Sequence, residues 1–271
     1  MFRREFIKSS SLISLGIGVS GCASKTKLES TQLTTHYLSL SFDDGFKKSF
    51  TRVAEIHDEY GTKACLNIIA SAHLPSFKTV GKYIHPKLMG SFNDWNKLVS
   101  KGHEVMPHTW EHLRLTEVPV ALAKKNIDKC LDYFEKNLDG YDSANGVYNF
   151  AYSASTPELE EFAMQRVRAA RTGGWLVLND TTLNKIPTSS DPIKIGCWAS
   201  GPENCDIYLE SEINNFLAGP SGWLIINLHG LDEEGWGPVS TKYYDSLLKR
   251  LVGIKNLEVL PVGEVLQKSM A

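Results

Sequence analysis

The apolar positions of this chain form short runs that alternate with longer segments in which apolar residues recur at helical spacing. The most apolar run, Trp223–Leu228, reads WLIINL and predicts a buried strand. On the same grounds, strands are predicted at 37–42, 64–70, 103–106, 147–152, 167–170, 193–198, 223–228 and 257–261, and helices at 48–60, 95–100, 119–137, 157–164, 207–217 and 243–252.

The alternation of strands and helices predicts the architecture. A strand that is followed by a helix and then by another strand is typical of parallel strands joined by crossover helices. The units counted here suit an α/β fold, a distorted (β/α) barrel of about seven parallel strands, better than an open sheet. Two long segments, 71–94 and 172–192, are rich in Gly, Ser and Pro and are predicted to form loops around a site.

The amino-acid composition excludes several classes of protein. Of the 271 residues, 42% are hydrophobic and 22% are charged, as in a globular enzyme and unlike a disordered or fibrous protein. The net charge of -2 lacks the basic excess of a general nucleic-acid binder. We therefore expect no nucleic-acid partner, and we expect the chain to act as a monomer.

The first residues have the pattern of an export signal. Arg3 and Arg4 precede a short apolar run, and small residues then lead to Cys22. The arginine pair resembles a twin-arginine signal, and VSGC resembles a lipoprotein box in which Cys22 would carry the lipid. The alternative interpretation is an uncleaved N-terminal helix with an incidental cysteine.

These features predict an export signal over 1–22, a polar tether over 23–35 and one barrel domain over 36–271. The mature protein is then an exported bacterial lipoprotein, in the periplasm or anchored at the outer membrane or cell surface, that meets the membrane only through its lipid. Export would place its cysteines where disulfides are permitted. For Cys197 and Cys205, which flank a loop, the sequence leaves open a disulfide or two thiols.

Two adjacent carboxylates, Asp43 and Asp44, follow the first predicted strand in the motif SFDDG. Their charges repel unless a cation or a proton lies between them. Taken alone, the motif fits a plain strand-to-helix turn with solvated acids better than a functional site.

Three histidines follow later strands. His108 and His112 stand four residues apart in HTWEH, so on a helical turn both imidazoles would project to one side and suit a metal ion. His229 follows the apolar strand at its carboxyl end, which is the active-site face of a β/α barrel. Together with Asp44, the pair His108/His112 predicts a metal site. Asp43 and His229 then act as base and acid in a metal-assisted hydrolysis.

At these residues the sequence resembles the polysaccharide deacetylases (carbohydrate esterase family 4, the NodB-homology domain). SFDDG, HTWEH and the dipeptide Leu228-His229 resemble that family's first, second and fifth motifs, and the resemblance spans residues 36–265. It implies a distorted β/α barrel, an acetylated glycan as substrate, Asp43 as general base and His229 as general acid. It also implies that Leu228 lines the acetyl pocket, and that a divalent metal, Zn²⁺ first of all, is bound by Asp44, His108 and His112.

The family's third motif is less clear. The stretch 149–153, NFAYS, stands where the family has an arginine that orients the base, and it holds no arginine. The backbone N–H of Tyr152 is still a candidate oxyanion donor.

The fourth motif normally supplies a Trp to the pocket and an acid to the general-acid histidine. Trp175 and Trp198 are alternative candidates for that Trp, and Asp180 is a candidate for the acid. Trp236, which lies in GLDEEGWG directly after His229, is the best-placed aromatic residue for stacking on a sugar ring.

The sequence therefore predicts a metal-dependent deacetylase that hydrolyses N- or O-linked acetyl groups of a polysaccharide or oligosaccharide. Two alternatives are kept. One is a catalytically weakened, glycan-binding lipoprotein on the same scaffold, which the missing arginine favours. The other is a metal-dependent amidase that acts on a C–N bond outside sugars.

Overall fold

The structure is a computed structural model that describes residues 36–172 and 183–268. The predicted signal and tether, Cys22, Trp175 and Asp180 lie outside the described residues. The strands are β1 His36–Phe42, β2 Cys65–Ile68, β3 Glu104–Pro107, β4 Val147–Asn149, β5 Ala169–Thr172, β6 Ile193–Gly196, β7 Trp223–Leu228 and β8 Leu257–Val259. The helices are α1 Lys47–Glu59, α2 Phe92–Val99, α3 Val120–Asn137, α4 Pro157–Met164, α5 Asp206–Ala218, α6 Thr241–Leu251 and α7 Val262–Lys268.

Strand β1 lies at the centre of the larger sheet, in the order β3-β2-β1-β7. Residues Tyr37–Phe42 pair in parallel with β7 along its whole length. The other edge of β1 is shared, because β8 pairs with its first residues and β2 with its last two. A second parallel sheet has the order β4-β5-β6. Every ladder between the described strands is parallel, which confirms the predicted α/β class.

The two sheets are joined by single contacts. Trp198 follows β6 and forms a parallel bridge to Ile226 of β7, with its N–H donating to the Ile225 carbonyl at 2.8 Å. Between β3 and β4 the described residues form no ladder. Seven strands thus follow one another in the order β3-β2-β1-β7-β6-β5-β4, which agrees with the predicted distorted (β/α) barrel, although no continuous ladder closes it among the described residues.

The helices pack their apolar faces on these sheets. Phe42 of β1, for example, contacts the Tyr244 ring of α6 edge-on at 5.2 Å between centroids. All six residues of β7 are buried, which explains why its sequence is apolar at every position except Asn227. No described helix is long and apolar enough to cross a membrane.

Two predicted elements differ from the observed ones by three residues at one end, and one observed helix was not predicted. The strand expected over 147–152 ends at Asn149, because the chain then enters a short 3₁₀ turn in which Tyr152 has a φ of 57°. Helix α2 begins at Phe92, since Ser91 and Asp94 form a capping box. Helix α7 was not predicted.

The described residues contain no disulfide. Cys205 donates through Sγ to the Gly237 carbonyl at 3.3 Å, whereas Sγ of Cys197 lies 3.8 Å from the Thr172 carbonyl. Of the two alternatives for this pair, the structure therefore has two thiols.

Candidate active site

The predicted catalytic and metal-binding residues meet at the carboxyl ends of the strands, where they line one cavity of about 450 Å³. Asp43 and Asp44 follow β1, and His108 follows β3. His112 and His229 line the same cavity. Parallel strands present their carboxyl ends at one face, which is why motifs far apart in sequence converge here.

Three side chains form a compact donor set. Oδ1 of Asp44 lies 3.2 Å from Nε2 of His112 and 3.5 Å from Nε2 of His108. One ligand atom from each residue lies within 4.8 Å of the others, and all three residues are buried.

The protonation of this set fits a cation. Oδ1 of Asp44 is buried and accepts no hydrogen bond from any described group. Burial tends to raise the pKa of Asp44, but the surrounding imidazoles, His112 foremost, lower it by more, so the carboxylate is ionised. Burial lowers the pKa of His108 to about 4, so this ring is neutral. The contact of Nδ1 of His108 with the Asn149 carbonyl, at 3.1 Å, keeps the proton on Nδ1 and directs the Nε2 lone pair toward Asp44.

A bend, and not the expected helical turn, brings His108 and His112 together. Thr109 and His112 have φ values of 64° and 58°, in the left-handed region that helices do not use. The Thr109 hydroxyl accepts a hydrogen bond from the His112 N–H at 3.0 Å. The carbonyls of Thr109 and Trp110 accept from Ala70 and Ser71, which fixes the bend against the segment after β2.

Asp43 is held at both of its oxygens. Oδ2 accepts from Arg171 on β5 at 2.5 Å, and Oδ1 accepts from Asn67 on β2 at 2.8 Å. Burial acts to raise the pKa of Asp43, yet the Arg171 guanidinium, with the imidazoles of His108 and His229, holds it below the usual value.

Arg171 therefore occupies the place of the arginine that the sequence analysis did not find. The signal was present in AART, where a charged residue interrupts a short strand between small residues. Arg171 is 1% exposed, and it also donates to the Ser41 hydroxyl at 3.0 Å.

His229 faces the same cavity from β7. Its Nδ1 is buried and has no hydrogen-bond partner among the described residues. Its ring packs edge-on against Trp236, with 5.4 Å between centroids.

Comparisons of this chain with known protein families and solved structures agree with this geometry. Residues 31–165 match the model of the family described as polysaccharide deacetylase. This chain belongs to the polysaccharide deacetylase family. Among curated proteins, none matches it.

Solved structures share the fold of this deacetylase-family chain. The peptidoglycan deacetylase PdaC from Bacillus subtilis has 16% identity and a TM-score of 0.52 over 87% of this chain and 93% of its own. The Xyl-CE4 domain of a xylanase from the hindgut metagenome of Trinervitermes trinervoides has 16% identity and a TM-score of 0.52, over 88% of this chain and 93% of its own. A pseudoenzyme of the CE4 family from Bacillus anthracis has 10% identity and a TM-score of 0.52, over 86% of this chain and 66% of its own.

The predicted substrate-binding residues differ in whether they reach the cavity. Trp236 and Tyr152 line the cavity. Leu228 does not: it is 1% exposed in the core, and Asn227 and His229 on either side of it face the cavity instead. This alternation follows from the two-residue period of a strand. Trp198 packs against the core.

A hairpin contributes a further wall of the cavity. Val80 and Ile84 pair across its turn, and Lys82 and Tyr83 between them also line the cavity. Elsewhere in the lining, the Arg114 guanidinium stacks over the Tyr152 ring at 4.3 Å from its centroid. The Tyr152 ring in turn lies 4.5 Å from that of His112.

Proposed function

We propose that this chain is a metal-dependent deacetylase that hydrolyses N- or O-linked acetyl groups of a polysaccharide or oligosaccharide. Family membership supports a hydrolase of carbohydrate acetyl groups. The observation that carries the finer proposal is the donor set of Asp44, His108 and His112 beside a carboxylate, Asp43, that an arginine keeps ionised.

Asp44, His108 and His112 would hold the divalent ion, and an oxygen with two imidazole nitrogens is a donor set that suits Zn²⁺. When bound, such an ion supplies Lewis-acid polarisation of a carbonyl and acidifies a water molecule. The chain's own residues supply the proton transfers.

Asp43 acts as the general base in this proposal. Its carboxylate accepts a proton from the attacking water while that oxygen bonds to the acetyl carbon. The backbone N–H of Tyr152 donates to the oxygen on which negative charge develops. His229 gives a proton to the departing sugar nitrogen or oxygen, so that acetate and a free amine or hydroxyl result.

The substrate lies across the cavity mouth, where Trp236 and Tyr152 offer aromatic surfaces. We keep Trp175 as a further candidate for the pocket wall. Arg171 removes the main ground for the glycan-binding alternative, which was the missing arginine.

Acetate release from chitin-type, xylan-type and algal glycans, with and without a strong chelator, tests the proposal. We expect release from at least one of them, and its loss with chelator. No release from any of them, or release that the chelator does not alter, would contradict it.

A substitution at the base separates metal binding from turnover. We expect Asp43→Asn to retain stoichiometric Zn²⁺, because its side chain is not a ligand, and to lose about 100-fold or more in kcat. His112→Ala is the contrasting variant and should lose the metal itself. Metal analysis by mass spectrometry and acetate assays measure both. A fully active Asp43→Asn protein would refute the assignment.

We also propose that the protein is an exported lipoprotein anchored through Cys22. The support is the order of the basic pair, apolar run and VSGC in the sequence. Wild type is expected to incorporate labelled fatty acid and to fractionate with membranes, whereas Cys22→Ser should incorporate none. Equal labelling of both would exclude Cys22 as the lipidated residue.

A further inference from the structure

Side chains, rather than a backbone ladder, cross the gap between β3 and β4. Nδ2 of Asn149 donates to the Pro107 carbonyl at 3.1 Å. The backbone carbonyl oxygen of Asn149 lies 3.1 Å from Nδ1 of His108. Asn149 therefore contacts both the last residue of β3 and the proposed metal ligand that follows it.

A second asparagine extends this contact to the proposed base. Nδ2 of Asn149 also donates to Oδ1 of Asn67 at 2.9 Å. Nδ2 of Asn67 donates to Oδ1 of Asp43 at 2.8 Å and to the Ser41 hydroxyl at 2.7 Å. Asn67 and Asn149 are each 1% exposed, and neither lines the cavity. They are thus placed to act on the site without touching a substrate.

The chemistry of the neighbours fixes the direction of both amides. The Asp43 carboxylate only accepts hydrogen bonds, so Asn67 presents its NH₂ group to it and its oxygen to Asn149. The carbonyls of Pro107 and Val147 also only accept, so Asn149 presents its NH₂ group to them. An amide turned the other way would place acceptor against acceptor in a buried site, which is costly.

We propose that Asn67 and Asn149 are positioning residues that form an amide relay, which fixes the Asp43 carboxylate relative to the His108 imidazole. The inference rests on the proposed function, in which these two groups are base and metal ligand. A small misplacement of a reacting group costs on the order of 100-fold in rate. Asn67 acts on the base alone. Asn149 acts on the base through Asn67, and its side-chain amide, bonded to the Pro107 carbonyl, holds in place the backbone carbonyl that contacts His108.

Alanine variants of the two asparagines, singly and together, test the relay in the full chain. Asn96→Ala is the matched control, because Asn96 also donates to one backbone group and accepts from another, Asn137 and Asp139, but away from the cavity. For each variant, kcat and KM of acetate release are measured on Zn²⁺-loaded enzyme. The affinity for Co²⁺ and the visible spectrum of the Co²⁺ form are measured without substrate.

We expect Asn67→Ala to lose about 10- to 100-fold in kcat, with an unchanged KM and an unchanged Co²⁺ spectrum. Asn149→Ala keeps the backbone carbonyl that contacts His108 but loses the amide that anchors it to Pro107. It should therefore lose as much in kcat, bind Co²⁺ about tenfold more weakly and alter its spectrum. The double variant should lose no more than the worse single variant, because residues that act as a unit are non-additive. Asn149→Ser, which keeps a donor, should recover part of the loss, and Asn96→Ala should match wild type.

An Asn67→Ala protein as active as Asn96→Ala, a loss confined to KM, or multiplied losses in the double variant would overturn the relay. If wild type releases no acetate, the proposed function fails on its own. The relay is then decided by Co²⁺ alone, and Asn149→Ala binding Co²⁺ like Asn96→Ala would overturn it. Should Asn149→Ala not fold, Asn67→Ala and Asn149→Ser carry the same comparisons.

Discussion

The proposed base owes its ionisation to a buried ion pair. The side chains of Arg171 and Asp43 are 1% and 2% exposed. Burial alone would raise the pKa of Asp43, and the guanidinium more than offsets it. The carboxylate can therefore accept a proton at neutral pH, and this ability is lost only as the pH falls through its lowered pKa. Removing the arginine would leave an uncompensated buried charge.

Arg171→Met tests this pair. Because the variant loses the opposing charge, the pKa of Asp43 rises, and the acid limb of the pH profile of kcat/KM should move up by about one to three pH units. The free energy of unfolding should fall by about 3–5 kcal/mol at pH 7. Arg168→Met is the control, since the Arg168 guanidinium is also buried but donates to the backbone carbonyls of Asp191 and Ser189 and not to a carboxylate. A profile for Arg171→Met that superimposes on that of Arg168→Met would show that the ion pair does not tune the base.

The position of Arg171 in the sequence explains why the analysis of the sequence missed it but found the predicted metal ligands. The family pattern places it in the stretch after β4, but Arg171 lies on β5, directly opposite Asn149 in the register of the two strands. Arg171 therefore lies close in space to the stretch where the arginine was expected, but one strand later in the sequence. Asp44, His108 and His112 were predictable because each follows a strand end, and strand ends share one face. Asn67 and Asn149 carry no such signal, since an isolated buried Asn resembles any other polar residue in a strand.

The bounds of helices and strands could be predicted where an element is fully buried or where its end carries a capping residue. Strand β7 has the predicted bounds, because a fully buried strand favours apolar residues, and only Asn227 departs from that pattern in it. Helix α4 also matches, with Thr156 as N-cap and Pro157 in its first turn. The bend after β3 was predicted as helical because i to i+4 spacing alone does not distinguish a helix from a turn with left-handed residues.

Thr109→Val tests the role of that bend. Valine has the same shape but cannot accept the hydrogen bond from the His112 N–H, which would leave a buried donor unpaired. We expect the free energy of unfolding to fall by about 1–3 kcal/mol. We expect Zn²⁺ affinity to fall about 10- to 100-fold, measured by competition with a chromophoric chelator. Thr109→Ser keeps the acceptor and should restore most of both, so equal losses in the two variants would assign the effect to packing instead.

At the scale of the whole molecule, the alternation of elements predicted parallel strands but not how the sheets join. The junctions depend on single residues, the Trp198 bridge to β7 and the Asn149 contacts to β3. No periodic pattern marks a one-residue bridge, whereas ladders of several residues leave an apolar run that is visible in sequence. The same junctions lie beside the cavity, so the irregular part of the ring is also the part that carries the proposed chemistry.

The stability of the whole fold should depend on pH through a histidine far from the site. His57 is 1% exposed, contacts the Tyr244 hydroxyl at 2.7 Å and the Thr62 hydroxyl at 2.8 Å, and burial lowers its pKa to about 3. An unfolded chain protonates His57 below its ordinary pKa of about 6.5, while the folded chain does not. The stability is therefore fully present above that value and is lost as the pH falls from it toward the folded pKa, by up to about 1.4 kcal/mol per pH unit. Urea unfolding of the metal-free protein at several pH values in this window measures the slope of the free energy of unfolding against pH.

The variant His57→Gln should reduce this slope by that amount. His85→Gln is the control, because it alters an exposed ring. Identical slopes for the two variants would mean that His57 is protonated in the folded state.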